Sequence, residues 1–212
     1  MNETEATLQK MINIRPLLDG PPLDYGGWAM DSHLGKTLAQ AVARHEPQCV
    51  FECGSGTSTV FIAQCMKREK TGGRVIALEH LERFAEKTRQ MLREHEVEEY
   101  GKVVTAPLEQ REVDGKKQPW YGVDLRRLED VPPIDLLVVD GPPQDTITRA
   151  RFPALPLLHE HISDECVVIL DDGDRKEEAE IAQEWTRTFD MKDTYIPGGK
   201  GTWVLYSEQE LL

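Results

Sequence analysis

Residues 50–59 read Val-Phe-Glu-Cys-Gly-Ser-Gly-Thr-Ser-Thr, an apolar run that stops at an acid, breaks at two glycines one residue apart, and resumes as Val60-Phe61-Ile62-Ala63. That punctuation predicts a strand, a tight turn and a helix, with the turn at the carboxyl edge of a sheet. Glycine there lets the backbone approach a ligand with no Cβ in the way, and the first helical turn presents N–H groups that lack helical partners. The stretch marks a small-molecule site. By itself Gly-x-Gly does not say which molecule.

Strands and helices alternate from this point on. The pattern predicts strands over residues 49–53, 74–79, 102–106, 134–140 and 167–170. Helices are predicted over Ser58 to about Lys67, Leu81 to about His95, Ala150 to His159, and Lys176 to about Thr188. Near-continuous Val/Ile/Leu runs mean strands buried on both faces, as in a parallel sheet covered by helices. Met191–Ile196 and Thr202–Tyr206 are joined only by Pro197-Gly198-Gly199-Lys200-Gly201, which leaves no room for a crossover helix. These two runs must pair as a hairpin, so one antiparallel strand ends the sheet. Residues 107–133 hold a turn signal at Asp114-Gly115 and the pair Trp120-Tyr121, and read as a loop or small hairpin over the carboxyl edge. Residues 1–45 read as an extension or cap. Leu8, Met11 and Ile12 suggest a short helix, a Pro/Gly-rich stretch follows, and Leu34, Leu38, Ala41 and Val42 recur at helical spacing. Residues 46–212 then form the ligand-binding domain.

A chain of 212 residues with 39% apolar and 30% charged residues is ordinary for a globular protein with a full core. Its net charge of −13 repels phosphate backbones and anionic lipid, which argues against nucleic acid and membrane as partners and favours a small molecule. No run is long enough to span a membrane, and residues 1–10 have no apolar signal core, so a cytoplasmic location is expected. Cys49 and Cys53 lie on one predicted strand roughly 13 Å apart, too far to bridge. With Cys65 and Cys166 they are expected to be buried free thiols.

In a doubly wound sheet, ligands bind beyond the carboxyl ends of the strands where the strand order reverses. Glu52, Glu79, Asp140 and the pair Asp171-Asp172 stand at four such ends. One acid alone reads as a helix cap or a solvated end residue. An acid closing the second strand, Glu79, can accept both ribose hydroxyls of an adenosine lying across the first turn. The turn lacks the third glycine of a pyrophosphate fingerprint, so a cofactor without pyrophosphate is preferred, with S-adenosylmethionine the candidate.

With these residues in view, the chain resembles the class I S-adenosylmethionine-dependent methyltransferases, as a bacterial branch distantly related to the catechol-type O-methyltransferases. The matching stretches are Gly27-Trp28-Ala29, residues 52–59, Ala77-Leu78-Glu79-His80, Ala106-Pro107-Leu108, Val139-Asp140-Gly141-Pro142-Pro143, residues 151–158, and residues 170–175, in the family's order. The resemblance implies a Rossmann-like α/β fold with a seven-stranded, mostly parallel sheet in the order 3-2-1-4-5-7-6, strand seven antiparallel. It implies that Glu52, Gly54, Ser55, Gly56 and Ser58 hold the methionine part of the cofactor, that Glu79 takes the ribose, that His80, Pro107 and Leu108 border the adenine, and that Asp140 faces the methyl donor.

It also implies a magnesium or calcium ion at Asp140, Asp171 and Asp172, oxygen ligands that suit a hard cation. The structural alternative is that Asp174 with Glu177 three residues later caps a helix and the neighbouring acids only support it. The catechol-type base, a lysine three residues after the strand-four acid, is replaced by Pro143. The catalytic candidates are therefore Asp140, Asp172 or a metal-bound hydroxide, with Asp140 ranked first; His80 reads as a pocket wall more than a base. Arg149, Arg151 and Arg175 suit either an anionic acceptor or, more in keeping with the acidic chain, pairing with its acids. Trp28, Trp120 and Tyr121 suit a lid or ordinary packing. The function read from the chain is methyl transfer from S-adenosylmethionine to a small molecule, most simply at oxygen. The alternatives are an NAD-type oxidoreductase and a cofactor-binding module without chemistry. The extension's apolar helical spacing could also serve a homodimer.

Overall fold

The computed structural model describes residues 30–124 and 131–207. The short helix expected near Leu8, the Pro/Gly stretch up to Gly27, and Trp28 lie outside the described residues. In chain order the elements are α1 (Ser32–His45), β1 (Cys49–Cys53), α2 (Thr57–Glu69), β2 (Arg74–Glu79), α3 (Glu82–Glu94), β3 (Gly101–Thr105), β4 (Leu108–Val113), β5 (Lys116–Tyr121), β6 (Ile134–Val139), α4 (Ala154–Leu158), β7 (Ile162–Leu170), α5 (Lys176–Thr188), β8 (Lys192–Ile196) and β9 (Thr202–Tyr206).

Seven strands form one sheet in the order β3-β2-β1-β6-β7-β9-β8. Counted within that sheet the order is 3-2-1-4-5-7-6. The last strand, β9, runs antiparallel to both β7 and β8, as the short Pro197–Gly201 connection requires. Successive residues of each central strand enter opposite cores. Val50, Leu136, Val138, Val167 and Ile169 face one side with α1, α2 and α3; Phe51, Leu137, Val139, Val168 and Leu170 face the other with α4, α5 and Trp120. Burying each such side chain is worth about 1.5–3 kcal/mol, so the three-layer arrangement follows from the apolar runs. All four cysteines are buried and free.

Residues 108–121 form the small hairpin. Asp114 and Gly115 both have positive φ (51° and 72°), the two-residue turn that matches strand twist. Two boundaries differ from the sequence reading by more than two residues. The helix expected from Ala150 begins only at Ala154, because Arg149 adopts a left-handed φ of 58° and Pro153 sits at the cap. β7 starts at Ile162, five residues before the apolar run, with Ser163, Asp164 and Glu165 extending it along the edge. α1 packs its buried Leu34, Leu38, Ala41 and Val42 into the same core as α2 and β1, with Asp31 capping its first turn.

The junction between β1 and α2 is built around a buried acid. Glu52 is fully buried and its two oxygens accept the hydroxyls of Ser58 (2.5 Å) and Thr59 (2.6 Å). Thr59 in turn accepts from the Gly56 N–H at 3.1 Å. The acid therefore ties strand, turn and helix start together. Burial raises its carboxyl pKa from 4.5 to about 7, with the nearby Glu79 charge adding to the rise and the two hydroxyls opposing it. A carboxyl with a raised folded pKa gives its full stability below the unfolded value and loses it as pH climbs through the folded one.

Two outcomes are expected. Compared by urea unfolding from pH 4 to pH 8, the wild type should lose about 3 kcal/mol of stability relative to Glu52→Gln, most of it between pH 5 and 7. A difference that does not change with pH would show that Glu52 is not held protonated. At the start of β2, a methyl group on Gly73 would run into the carbonyl oxygens of Gln48 and Pro47, whereas one on Gly101 would meet only the movable end of Leu92. Gly73→Ala should therefore cost about 1–3 kcal/mol and Gly101→Ala clearly less, read by the same unfolding measurement.

Candidate active site

The carboxyl edge of the sheet is where β1, β2, β6 and β7 deliver their last residues side by side. β1 and β6 are neighbours, and the Asp140 N–H donates to the Cys53 carbonyl at 2.9 Å. The Gly54 N–H donates across to Leu78 of β2 at 3.0 Å, and Gly54 has φ +112°, a conformation that glycine adopts freely. Gly56 stands next to open space, since a methyl group there would meet no atom within 4 Å. The turn thus lies between two strand ends with its main chain uncovered on one side.

On the β2 side, Glu79 is buried against this turn. One carboxylate oxygen accepts the Leu81 N–H (2.9 Å) and lies 3.0 Å from His80 Nδ1; the other accepts the Ser55 hydroxyl at 3.3 Å. Ser55 also bonds Thr88 of α3 at 3.1 Å. The acid at the end of strand two therefore faces the glycine turn directly, while Glu52 stands behind it with both oxygens engaged by Ser58 and Thr59. His80 meets the ring of Tyr121 edge-on, with centroids 6.4 Å apart. Pro107 and Leu108 border the same end: the Ala106 N–H donates to the Glu79 carbonyl, and Gly122 N–H to Pro107. Burial pushes the Tyr121 phenol well above its usual pKa, so it stays protonated; Trp120 is wholly packed.

On the β6–β7 side three acids meet. One oxygen each from Asp140, Asp171 and Asp172 lie within 4.8 Å of one another. Asp172 holds a left-handed φ of 56°, which Asp tolerates better than most residues. Burial is the largest cause raising the carboxyl pKa values of Asp140 and Asp171; each is raised further by neighbouring acids, and Arg151 opposes the rise.

Three cations enter this ring. Arg151, 4% exposed, places Nη2 at 3.1 Å from Asp140 Oδ1 and 2.5 Å from Asp172 Oδ2, and donates from Nη1 to the Asp171 carbonyl at 2.8 Å. Arg175 Nη1 reaches the same Asp172 oxygen at 2.9 Å and Lys200 Nζ lies 3.9 Å from the other. Burial works against the Arg151 charge, but Asp140, Asp172, Glu178 and Asp171 outweigh it and hold the guanidinium protonated. Arg149 instead pairs with Glu184 at 2.5 Å. The arginines at this edge are engaged with the chain's own acids.

The donor set is that of a hard cation, but a divalent ion needs six or more oxygen ligands with free lone pairs at about 2.0–2.6 Å. Here Asp172 Oδ2 already accepts two guanidinium groups and Asp140 Oδ1 one. With Arg151 in place the residues do not fit a magnesium or calcium ion. The helix cap expected from Asp174 and Glu177 is not formed. The N-cap position of α5 falls on Arg175 without a side-chain bond, while Asp174 accepts the Tyr195 hydroxyl and Glu177 accepts the Arg149 N–H at 2.8 Å. Asp174 braces β8 and Glu177 the segment before α4 instead.

Glu178 was not singled out in the sequence. It is buried on α5 with Ile181, Ala182 and Trp185, and its Oε1 lies 3.6 Å from Arg175 and 3.9 Å from Arg151. Its place on the apolar stripe of α5 is the signal that could have found it.

Residues 51–173, more than half of the chain, match the family model described as a methyltransferase domain. No curated protein matches the chain by sequence. Among solved structures, the chain is similar to a methyltransferase from Geobacter sulfurreducens (16% identity, 98% of this chain and 90% of that one, TM-score 0.62). It is similar to an O-methyltransferase from Bacillus cereus in complex with SAH (16% identity, 96% and 91%, TM-score 0.61). It is also similar to an SAH-bound methyltransferase from Podospora anserina (12% identity, 98% and 97%, TM-score 0.64). At these identities the likeness is one of fold, and it covers 96–98% of this chain. With the family match spanning the glycine turn, Glu79, Asp140 and the Asp171-Asp172 pair, the chain belongs to the methyltransferase domain family and is a methyltransferase.

Proposed function

We propose that the protein transfers the methyl group of S-adenosylmethionine to an oxygen of a small-molecule acceptor, acting in the cytoplasm, with residues 46–212 carrying the cofactor. The observation that carries this reading is the buried Glu79 carboxylate set against Ser55 of the glycine turn. A ribose with two neighbouring hydroxyls is the natural partner of two carboxylate oxygens at that place. The SAH named in the Bacillus cereus and Podospora anserina structures supports the same cofactor.

A pyrophosphate cofactor fits less well. The position of a third glycine is Thr59, which is buried with its hydroxyl on Glu52, and the Gly56 N–H is satisfied by that same Thr59. A turn whose Gly54 and Gly56 N–H groups are taken up internally is a poor cradle for two phosphates. The net charge of −13 weighs against nucleic acid or anionic membrane as the acceptor.

The turn at Gly54, Ser55 and Gly56, braced from behind by Glu52 and Ser58, holds the methionine end. His80, Pro107 and Leu108 wall the adenine. The acceptor hydroxyl approaches from the side of Asp140, which stands partly exposed at the β6 end. The acceptor oxygen gives an electron pair to the methyl carbon, the carbon–sulfur bond breaks with its pair going to sulfur, and the hydroxyl proton passes to Asp140. Asp172 steadies this geometry through Arg151. Holding donor and acceptor in line within a closed site supplies a large part of the acceleration.

Calorimetry with S-adenosylhomocysteine (SAH) and, separately, NAD checks the reading. SAH should bind, NAD should not, and Glu79→Ala should weaken SAH by about 10–100-fold, the worth of a charge-assisted hydrogen bond. Asp140→Asn should bind SAH as the wild type does. Binding of NAD alone, or an unchanged SAH affinity in Glu79→Ala, would overturn the assignment.

A further inference from the structure

The acids at the ends of β6 and β7 are arranged as a cation site, yet a cation of the chain's own already sits among them. Arg151 is delivered by the segment between β6 and α4, and that segment is pinned at several points. The Arg149 N–H is held by Glu177 at 2.8 Å, Arg149 Nη2 by Glu184, and the Phe152 carbonyl by Trp185 Nε1 at 3.1 Å. The Arg149 guanidinium also stacks 4.6 Å over the Phe152 ring. With the residues on both sides of Arg151 fixed, its guanidinium has little freedom to leave the ring.

Once there it binds four groups: the Asp140 side chain and carbonyl (both 3.1 Å), the Asp172 side chain, and the Asp171 carbonyl. A planar fork of N–H donors spans these oxygens at fixed angles, which a lysine ammonium could not do. Charge is close to balanced without any ion: Asp140, Asp171, Asp172 and Glu178 face Arg151, Arg175 and Lys200. A divalent ion added beside a buried guanidinium would meet repulsion in a poorly screened site.

We propose that Arg151 is a positioning residue that supplies from within the chain the positive charge a divalent metal would bring to this edge, so that the acceptor side takes up no magnesium, calcium or manganese. Arg151 sets the orientation of Asp140 and Asp172 and keeps a fixed positive charge within 3.1 Å of the acid that faces the acceptor. The proposal deepens the methyl-transfer reading in the role it gives Asp140, but its test does not require an acceptor.

The full-length protein is titrated with MnCl2, with and without SAH, and the free-ion paramagnetic resonance signal is followed, with MgCl2 and CaCl2 as competitors. The wild type should take up no more manganese than Asp140→Asn. Arg151→Met, which frees the Asp140 carboxylate and removes one of the two guanidinium groups on Asp172, should bind one equivalent about tenfold or more tighter than the wild type. Arg151→Lys keeps the charge but not the fork and should take up less manganese than Arg151→Met; equal uptake by the two variants overturns the role given to the charge. A wild-type protein that takes up one equivalent of manganese, lost in Asp140→Asn, overturns the proposal even if Arg151→Met does not fold. A folded Arg151→Met that binds no tighter than the wild type overturns it too. SAH affinity measured on the same samples reports separately on the cofactor reading, because manganese uptake is read in its absence as well.

Discussion

The whole working edge depends on how closely the main chain leaving β1 approaches the main chain leaving β6. A methyl on Gly141 would come within 3.3 Å of the Gly54 Cα and run into the Tyr121 hydroxyl, and Gly54 itself holds a φ of +112°. This approach puts the glycine turn, which faces Glu79, directly beside Asp140, which faces the acceptor side. Two half-sites built by different strands become one. Parallel neighbours in register at Glu52↔Val138 and Cys53↔Val139 fix that meeting, so the site inherits its geometry from the most deeply buried part of the sheet. Sites held by such rigid elements keep reacting groups aligned without an ordering cost at each turnover.

The second determinant is how buried charge is managed. Burial raises the carboxyl pKa values of Glu52, Asp140 and Asp171, and the acids of this edge are held by different kinds of partner. Glu52 is pushed towards its neutral form and bonded to two hydroxyls. Glu79 is bonded to a main-chain N–H and to Ser55. Asp140 and Asp172 share a guanidinium. Removing one partner of a buried ion pair leaves an uncompensated charge that costs several kcal/mol, so Arg151 is as much a condition for these acids as they are for it. The division also separates roles: Glu52 supports, Glu79 faces the proposed nucleoside, and Asp140 stands partly open at the β6 end.

Much of this architecture was legible in the sequence. The bounds of β1, β2, α5 and β9 follow directly from apolar runs that stop at acids, glycines or prolines, and the terminal hairpin was forced by the short 197–201 connection. Less legible was whatever depends on partners far away in sequence. β4 and β5 carry Glu109, Gln110, Arg111, Lys116 and Lys117 on largely exposed strands with no clean alternation, so only the Asp114-Gly115 turn signalled them. β7 begins in polar residues because it runs on as an edge past the apolar core. The pairing of the arginines with acids could be expected from the net charge, but that Arg151 would occupy the centre of the acid ring depends on residues 20 positions apart meeting across two strand ends. Spacing alone could not distinguish a metal site from an arginine site with the same acids.

The most direct measurement is a crystal structure of the protein with S-adenosylhomocysteine bound. The account predicts the ribose hydroxyls within about 2.6–3.0 Å of the Glu79 carboxylate, the sulfur turned towards Asp140, and Arg151 still bridging Asp140 and Asp172. A nucleoside bound elsewhere, or Glu79 turned away from it and kept on Ser55 and Leu81, would contradict the account.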